Sequence, residues 1–160
     1  MANTAGQTIT AEAGEQVLRV KTSRFGEIEV AAGKVIHMTS PFLGFPGSHR
    51  FLLRPHAENS PFMWLQSLDE PQLAFVVIRP ALIRPDYQPP LPAAARRELR
   101  LRSGDVHDLL LILTIPEGKP EKMTANMLGP VAINISERLA KQVLLDPNRY
   151  EACWPVFMDE

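Results

Sequence analysis

His107 is the side chain best placed along the chain for acid–base chemistry, because it lies between Asp105 and Asp108. A neighbouring carboxylate can orient an imidazole so that it acts as a general base. No nucleophile or second metal ligand is specified with it, so a solvated histidine in a loop is the favoured interpretation. An enzyme that uses His107 stays as an alternative, and it requires a concave pocket that holds His107 with a nucleophile or a metal.

The other metal-binding and nucleophilic residue types show no productive spacing. The four histidines form no HxH or HxxxH pair, and no Gly-rich phosphate-binding loop occurs. Cys153 is the single cysteine, which excludes an intramolecular disulfide and any multi-cysteine metal site. Without a base beside it, Cys153 is interpreted as a packed or partly exposed tail residue. We therefore predict that the chain is not an enzyme and has no catalytic residue, cofactor or metal.

A basic cluster formed by Arg96, Arg97, Arg100 and Arg102 is the one local feature that favours RNA. On a helix, Arg96 and Arg100 share a face through their i, i+4 spacing. Proteins that bind nucleic acid usually interleave such charge with aromatic residues, and here the neighbours are Ala, Leu, Ser and Gly. A solvated helix face is favoured. The alternative is a small RNA-binding regulatory module that uses the Arg96–Arg102 helix and has salt-dependent affinity.

Composition limits the class of protein further. The chain has 160 residues, 45% hydrophobic and 22% charged, with a net charge of −1. This length suits one domain with its own core, and the near-neutral charge gives no general attraction to nucleic acid or an anionic membrane. No signal peptide and no apolar span of about 18 residues is apparent. We expect a cytoplasmic protein with no direct nucleic-acid or membrane partner.

The elements that must position these residues are mostly strands. The 15 prolines exclude a fold made of long helices, and short apolar runs recur between turn residues. We predict a mainly β, small single-domain antiparallel β-barrel-like fold over residues 16–158, after a flexible N-terminal tail at 1–15. One principal short helix is expected at Pro92–Arg102. The predicted strand segments are 17–22, 26–30, 35–38, 51–54, 62–65, 73–78, 109–115, 123–127, 131–135 and 139–145.

Residues 60–80 are the most informative part of this pattern. Two apolar runs, Phe62–Leu65 and Leu73–Ile78, flank a polar connection with turn-forming residues and two carboxylates. Neither run is long enough for a stable helix, so both are predicted to be buried strands. Trp64 is therefore expected in the core, and Asp69 and Glu70 on an exposed acidic tip.

The combination of segments 60–80 and 114–145 resembles the FliW family of flagellar assembly factors. Shorter pieces at 24–28, 44–47, 51–53 and 85–87 support it in the family order. The resemblance implies a non-enzymatic, cytoplasmic regulator with a small β-barrel-like fold. It also implies binding to CsrA, a translational repressor of flagellin mRNA, and to flagellin, whose secretion frees the factor to bind CsrA. The N-terminal tail, residues 89–102 and the C-terminal tail depart from the family pattern.

Partner binding is expected on loops and polar strand ends, because a closed sheet leaves few unpaired backbone groups. Asp69 and Glu70 suit a basic partner, and Leu128 would supply an apolar anchor. The alternative is that all of these are ordinary turn residues. The predicted protein-binding residues are Gln66, Asp69, Glu70, Asn126 and Leu128.

Overall fold

The computed structural model describes residues 6–10, in their backbone alone, and residues 16–157. The strands in these residues are β1 Gly6–Thr10, β2 Gln16–Thr22, β3 Gly26–Ala31, β4 Ile36–Met38, β5 Arg50–Pro55, β6 Phe62–Ser67, β7 Ala74–Ile78, β8 His107–Thr114, β9 Thr124–Ala125, β10 Val131–Asn134, β11 Leu139–Gln142 and β12 Trp154–Pro155. One α-helix, α1, spans Ala93–Glu98, and 3-10 turns lie at Ala32–Lys34, Pro80–Leu82 and Pro120–Lys122. In the described residues no helix has the length and hydropathy to cross a membrane.

Seven strands close into a barrel. Their order is β10-β11-β4-β5-β6-β7-β8, and β8 pairs with β10 to complete the ring, with Leu110 opposite Val131. The neighbouring strands are antiparallel except β4 and β11, which pair in parallel with Leu139 opposite His37. The predicted mainly β, barrel-like fold with one short helix is confirmed, with this parallel pair as its exception.

Alternation along the strands decides which residues fill the barrel, because successive side chains point to opposite faces. On β6, Met63 and Leu65 pack with the interior cluster that includes Phe51, whose side chain is fully buried. Trp64 has the opposite parity and lies half-buried outside the barrel. The prediction that Trp64 is a core residue is therefore wrong. All residues of this run are apolar, although their side chains alternate between the inside and the outside of the barrel.

A separate three-stranded antiparallel sheet, β1-β2-β3, covers part of the outer face. Val20 and Val30 of this sheet are buried in a cluster with Leu68, and Leu52 of β5 packs against it. The predicted loose tail is wrong at Gly6–Thr10, because this segment forms β1, with Thr8 opposite Leu18 of β2. The remainder of the predicted tail, 1–5 and 11–15, and residue 158 of the predicted domain lie outside the described residues.

Two further apolar layers cover the outside of the barrel. The first lies on β7 and β8, where Leu111 packs with Tyr87 and, near the C terminus, with Trp154. The second is formed by α1, whose Ala95 packs in one cluster with Ala132 of β10. The barrel wall is therefore buried on both sides along much of its circumference. Strands that are buried on both faces have nearly continuous apolar sequences, as is seen here.

The helix is shorter than predicted, because the chain leaves the helical conformation at Arg100. Arg100 has a φ of 57°, its N–H bonds to the Arg97 carbonyl at 3.0 Å, and Leu101 N–H bonds to the Arg96 carbonyl at 2.8 Å. These two bonds with a left-handed residue form a Schellman motif, which ends a helix. Arg100 thus lies beyond α1, and the predicted shared helix face of Arg96 and Arg100 is wrong.

A polar contact holds α1 in place. The Glu98 carboxylate accepts hydrogen bonds from the hydroxyls of Thr39 at 2.6 Å and Ser40 at 2.8 Å, and lies 3.3 Å from the Lys141 ammonium. The two hydroxyl hydrogen bonds are the main reason that the pKa of Glu98 is lowered. The helix is consequently joined to the end of β4 and to β11.

Candidate functional site

The Asp69 carboxylate closes the loop after β6 onto β5. One oxygen, Oδ2, accepts the backbone N–H groups of His49 at 2.7 Å and Arg50 at 2.8 Å. The other, Oδ1, lies 2.9 Å from Nε and 2.8 Å from Nη2 of Arg50. The Asp69 side chain is only 21% exposed, so it is not the projecting acidic tip that the sequence predicts.

The same contacts control the ionisation of Asp69. Burial raises its pKa, but the hydrogen bonds from His49 and Arg50 and the charge of the Arg50 guanidinium outweigh burial. The net result is a pKa below the ordinary value. Asp69 is therefore a carboxylate at neutral pH whose charge is already paired within the chain.

Glu70 is held by two buried serines. Its carboxylate accepts a hydrogen bond from Ser48 Oγ, and Ser48 Oγ lies 2.8 Å from Ser67 Oγ. Ser67 Oγ in turn accepts the N–H groups of Asp69 at 3.1 Å and Glu70 at 2.9 Å. Glu70 also lies beside Gly47, so the loop after β6 is packed against the Pro- and Gly-rich loop that precedes β5.

The buried side chain of Gln66 holds this loop through hydrogen bonds to its backbone. Its side chain is fully buried, and Nε2 lies within 2.9–3.2 Å of the carbonyl oxygens of Ser67, Pro71 and Leu73. Gln66 Oε1 has no hydrogen-bond partner among the described residues. Gln66 is predicted to be a protein-binding residue, but in this fold its buried side chain contacts the backbone of its own loop.

Leu43 is an exposed apolar residue that the sequence interpretation missed. Its side chain is 96% exposed, at the tip of a turn in which Phe45 N–H bonds to the Phe42 carbonyl at 2.9 Å. Gly44 has a φ of 90°, as the third residue of a type II turn requires. Phe42 anchors the turn in the barrel core, with its ring centroid 4.9 Å from that of Phe75. The signal available in the sequence was the Pro- and Gly-rich composition of residues 40–47, because such segments form surface loops.

We call Leu43, Asp69 and Glu70 the Leu43–Glu70 surface, because the loops that carry them meet at Gly47 and Glu70. It contains the exposed side chain of Leu43 and the half-buried carboxylates of Asp69 and Glu70. An exposed apolar side chain together with polar groups on an adjoining loop is typical of a small protein-binding site.

The turn after β9 contains the other two predicted residues. Asn126 Oδ1 accepts the N–H groups of Leu128 at 3.1 Å and Gly129 at 2.9 Å, and Gln142 Nε2 donates to the Gly129 carbonyl at 3.0 Å. Leu128 is half-buried. Asn126 thus has a structural role as the residue that closes this turn.

The predicted residues do not form one site. The turn at Asn126 is attached to β8, through the bond from Asn126 N–H to the Ile112 carbonyl at 2.9 Å. The loop at Asp69 is attached to β5 through Arg50, and β6 and β7 lie between β5 and β8. Asp69 and Glu70 therefore belong to one region of the surface, and Asn126 and Leu128 to another.

His107 begins β8 opposite Asn134 and does not lie in a loop as predicted. It lines an open cleft of about 440 Å³ with Asp108 and Arg79, whose guanidinium Nη1 lies 2.8 Å from Asp108 Oδ2. Tyr87, also in the lining, donates its hydroxyl to the Met127 carbonyl at 2.7 Å, and burial raises its pKa. The lining has no Ser, Thr, Cys or Lys, and the described residues contain no group of three or more His, Cys, Asp or Glu that could hold a metal ion.

The basic segment after α1 is partly neutralised. Arg100 lies 3.8 Å from the Glu137 carboxylate, and Asp105 accepts the backbone N–H of Arg102 at 2.8 Å. The Arg96 guanidinium donates a hydrogen bond to the Arg102 carbonyl at 3.0 Å. This arrangement favours the solvated surface over the RNA-binding interpretation.

The fold and these surfaces define a class: a small closed β-barrel that presents rigidly held loops. Residues 19–156 match the model of the FliW protein family, which covers the barrel and each loop described above. The chain therefore belongs to the FliW family.

Named relatives support this assignment. The chain is 39% identical to the flagellar assembly factor FliW of Magnetococcus marinus over 79% of this chain and 78% of that protein. It is also 39% identical to that of Geobacter sulfurreducens, over 88% and 87%. A crystal structure of the flagellar assembly factor FliW superposes with a TM-score of 0.79 at 30% identity, over 88% of this chain and 97% of that one. The family is thus one of flagellar assembly factors.

Proposed function

We propose that this chain is a cytoplasmic flagellar assembly factor that acts by binding CsrA and flagellin, and not by catalysis. Binding of CsrA relieves repression of flagellin mRNA translation, and flagellin competes for the same factor in a partner switch. The observation that carries the proposal is the family match over residues 19–156, which spans nearly all of the described chain. The two partners come from the resemblance of its segments to the family.

The Leu43–Glu70 surface supports a basic partner such as an RNA-binding repressor. Arg50 pairs with Asp69, whereas Glu70 is held by neutral serine hydroxyls and keeps its negative charge uncompensated by these contacts. Charges at the edge of an interface mainly raise the association rate and the selectivity. Leu43 adds exposed apolar contact area to this charged surface. We therefore place CsrA on this surface.

The Asn126–Leu128 turn is proposed as a second contact region. Leu128 retains exposed apolar area, and Asn126 holds the turn rigid through two backbone hydrogen bonds. A rigid turn loses little conformational entropy on binding, which favours affinity. Its separation from the Leu43–Glu70 surface by β6 and β7 allows the two regions to be tested independently.

Calorimetry with purified CsrA and with purified flagellin tests the proposal. We expect Leu43→Asp and Glu70→Lys each to weaken CsrA binding by about tenfold or more, equivalent to about 1.4 kcal/mol. Leu128→Asp tests the second region. The matched controls are Val106→Asp, at an exposed apolar residue before β8, and Asp86→Lys, at a carboxylate that is 82% exposed.

The outcomes separate the function from the surface. If the wild-type chain binds neither protein, the proposed function is wrong. If CsrA binds the wild type, Leu43→Asp and Glu70→Lys equally at low salt, the function stands and the Leu43–Glu70 assignment is wrong. Circular dichroism and a thermal melt confirm that each variant is folded before it is compared.

A further inference from the structure

Five side chains interlock on the outer face of β5 and β6. The Arg24 guanidinium carbon lies 3.9 Å from the centroid of the Trp64 ring, and that of Arg54 lies 4.6 Å from the centroid of Phe25. Phe25 meets Trp64 edge to face at 6.3 Å, and the His56 ring lies 6.2 Å from Trp64. We call Arg24, Phe25, Arg54, His56 and Trp64 the Arg24–Trp64 cluster.

Two elements build this cluster. Arg54 and Trp64 are directly opposite each other on β5 and β6. The β2–β3 turn brings Arg24 and Phe25 over them: Thr22 Oγ1 accepts Phe25 N–H at 2.9 Å and donates to the Gly26 carbonyl at 2.8 Å. The turn is fastened by the bond from Ser23 N–H to the Pro71 carbonyl at 2.9 Å. The turn that carries Arg24 and Phe25 is thus held by bonds that do not involve the side chains of these two residues.

The two arginines of the cluster differ in their charge pairing from five other arginines of the chain. Arg19, Arg50, Arg79, Arg84 and Arg100 each lie within 3.8 Å of a carboxylate. Neither Arg24 nor Arg54 has such a partner among the described residues. A guanidinium stacked on a ring still directs its N–H groups outward in the ring plane, in a fork that matches a carboxylate.

The arrangement favours a protein partner over RNA. Modules that bind single strands offer open aromatic faces on which bases stack. Here guanidinium groups cover a face of Trp64 and a face of Phe25. The cluster therefore presents N–H donors and ring edges, which suit carboxylates beside apolar side chains. A partner segment cannot bind here as an additional strand, because β5 and β6 are each paired on both sides.

We propose that the Arg24–Trp64 cluster binds an acidic segment of a partner protein, in which Asp or Glu residues alternate with apolar residues. Trp and Arg are the residue types most enriched among binding hot spots. This surface has the opposite charge to the Leu43–Glu70 surface, so the inference goes beyond the basic partner proposed above.

Fluorescence anisotropy with a labelled synthetic peptide of alternating Glu and Leu tests the proposal at low and moderate salt. The same peptide with Gln in place of Glu is the charge control, and oligouridine is the nucleic-acid probe. We expect Arg24→Ala with Arg54→Ala to weaken Glu-peptide binding by about tenfold or more. Arg97→Ala, at an exposed arginine on α1, should have little effect.

A second readout reports the location directly. The chain has two tryptophans, so Trp154→Phe leaves Trp64 as the single tryptophan, which can be excited at wavelengths that the two tyrosines do not absorb. The Glu peptide should change Trp64 emission in this variant, and Arg24→Lys, which keeps the charge but loses the planar fork, should bind more weakly. Three results would each overturn the proposal: no wild-type binding at low salt, equal binding of the Gln peptide, or equal losses in Arg97→Ala and the double variant. Tighter binding of oligouridine at the cluster would identify an RNA surface instead.

Discussion

The Arg50 guanidinium and the Asp69 carboxylate join β5 to the loop after β6 through contacts of 2.9 and 2.8 Å on a single carboxylate oxygen. The second oxygen is occupied by the N–H groups of His49 and Arg50. Four donors therefore converge on one side chain. The loop that carries Glu70 depends on this convergence for its position.

Asp69→Ala should destabilise the protein by about 1–3 kcal/mol, because two backbone N–H groups and a partly buried guanidinium lose their acceptor. Asp86→Ala is the matched control, since its carboxylate is 82% exposed and lies 3.5 Å from Arg84. Surface pairs of this kind contribute little. Urea denaturation measures both variants. Equal stability of Asp69→Ala and wild type would show that the convergence of donors has no energetic role.

The lowered pKa of Asp69 predicts a pH dependence. Because the folded pKa lies below the unfolded value of about 3.9, the stabilisation is complete well above that value and is lost as the pH falls through the folded pKa. The stability difference between wild type and Asp69→Asn should therefore be largest at neutral pH and shrink below about pH 4. Denaturation curves across this range measure it. A difference that grows on acidification contradicts the assigned direction.

Trp64→Ala should cost less than Phe51→Ala. Phe51 is fully buried in the barrel, and its truncation is expected to cost about 3–5 kcal/mol. Trp64 is half-buried outside the barrel and loses mainly its contacts with Arg24 and Phe25. Thermal and urea denaturation of the two variants provide the comparison. Equal costs would place Trp64 energetically in the core, as its apolar run suggests.

Asn126→Ala should destabilise the turn after β9 by about 1 kcal/mol, since the N–H groups of Leu128 and Gly129 lose their acceptor. Asn126→Asp keeps an oxygen at this position and should retain most of the stability. Urea denaturation measures the two variants in parallel. If Asn126→Asp is as destabilised as Asn126→Ala, the acceptor oxygen is not what holds the turn.

Much of the secondary structure was predictable, because it depends on neighbours along the chain. The run at Leu73–Ile78 contains residues that favour strands, and β7 occupies Ala74–Ile78. Pro92 marks the beginning of α1 correctly, immediately before Ala93. The end of α1 was not predictable, because Arg100 adopts a left-handed conformation that glycine usually supplies.

The candidate surfaces were less predictable than the strands. Gln66 and Asp69 are polar residues next to a turn, which is the usual signature of an exposed loop. Their burial depends on backbone groups that are distant in sequence or reached only when the loop folds back, such as His49 N–H for Asp69 and Leu73 O for Gln66. Leu43 shows the converse case, in which an apolar residue is exposed because its turn is anchored through Phe42.

The sequence by itself determined the β-rich class, the strand rhythm and the family resemblance, because short apolar runs, prolines and local motifs act over a few residues. Only the tertiary structure decided which face of each strand points into the barrel and which outer faces are covered. Trp64 illustrates the reason: its neighbours on β6 are apolar on both sides, so its environment is set by Arg54 across the strand and by Arg24 and Phe25 from a distant turn. Closure of the barrel, and not local propensity, brings these side chains together.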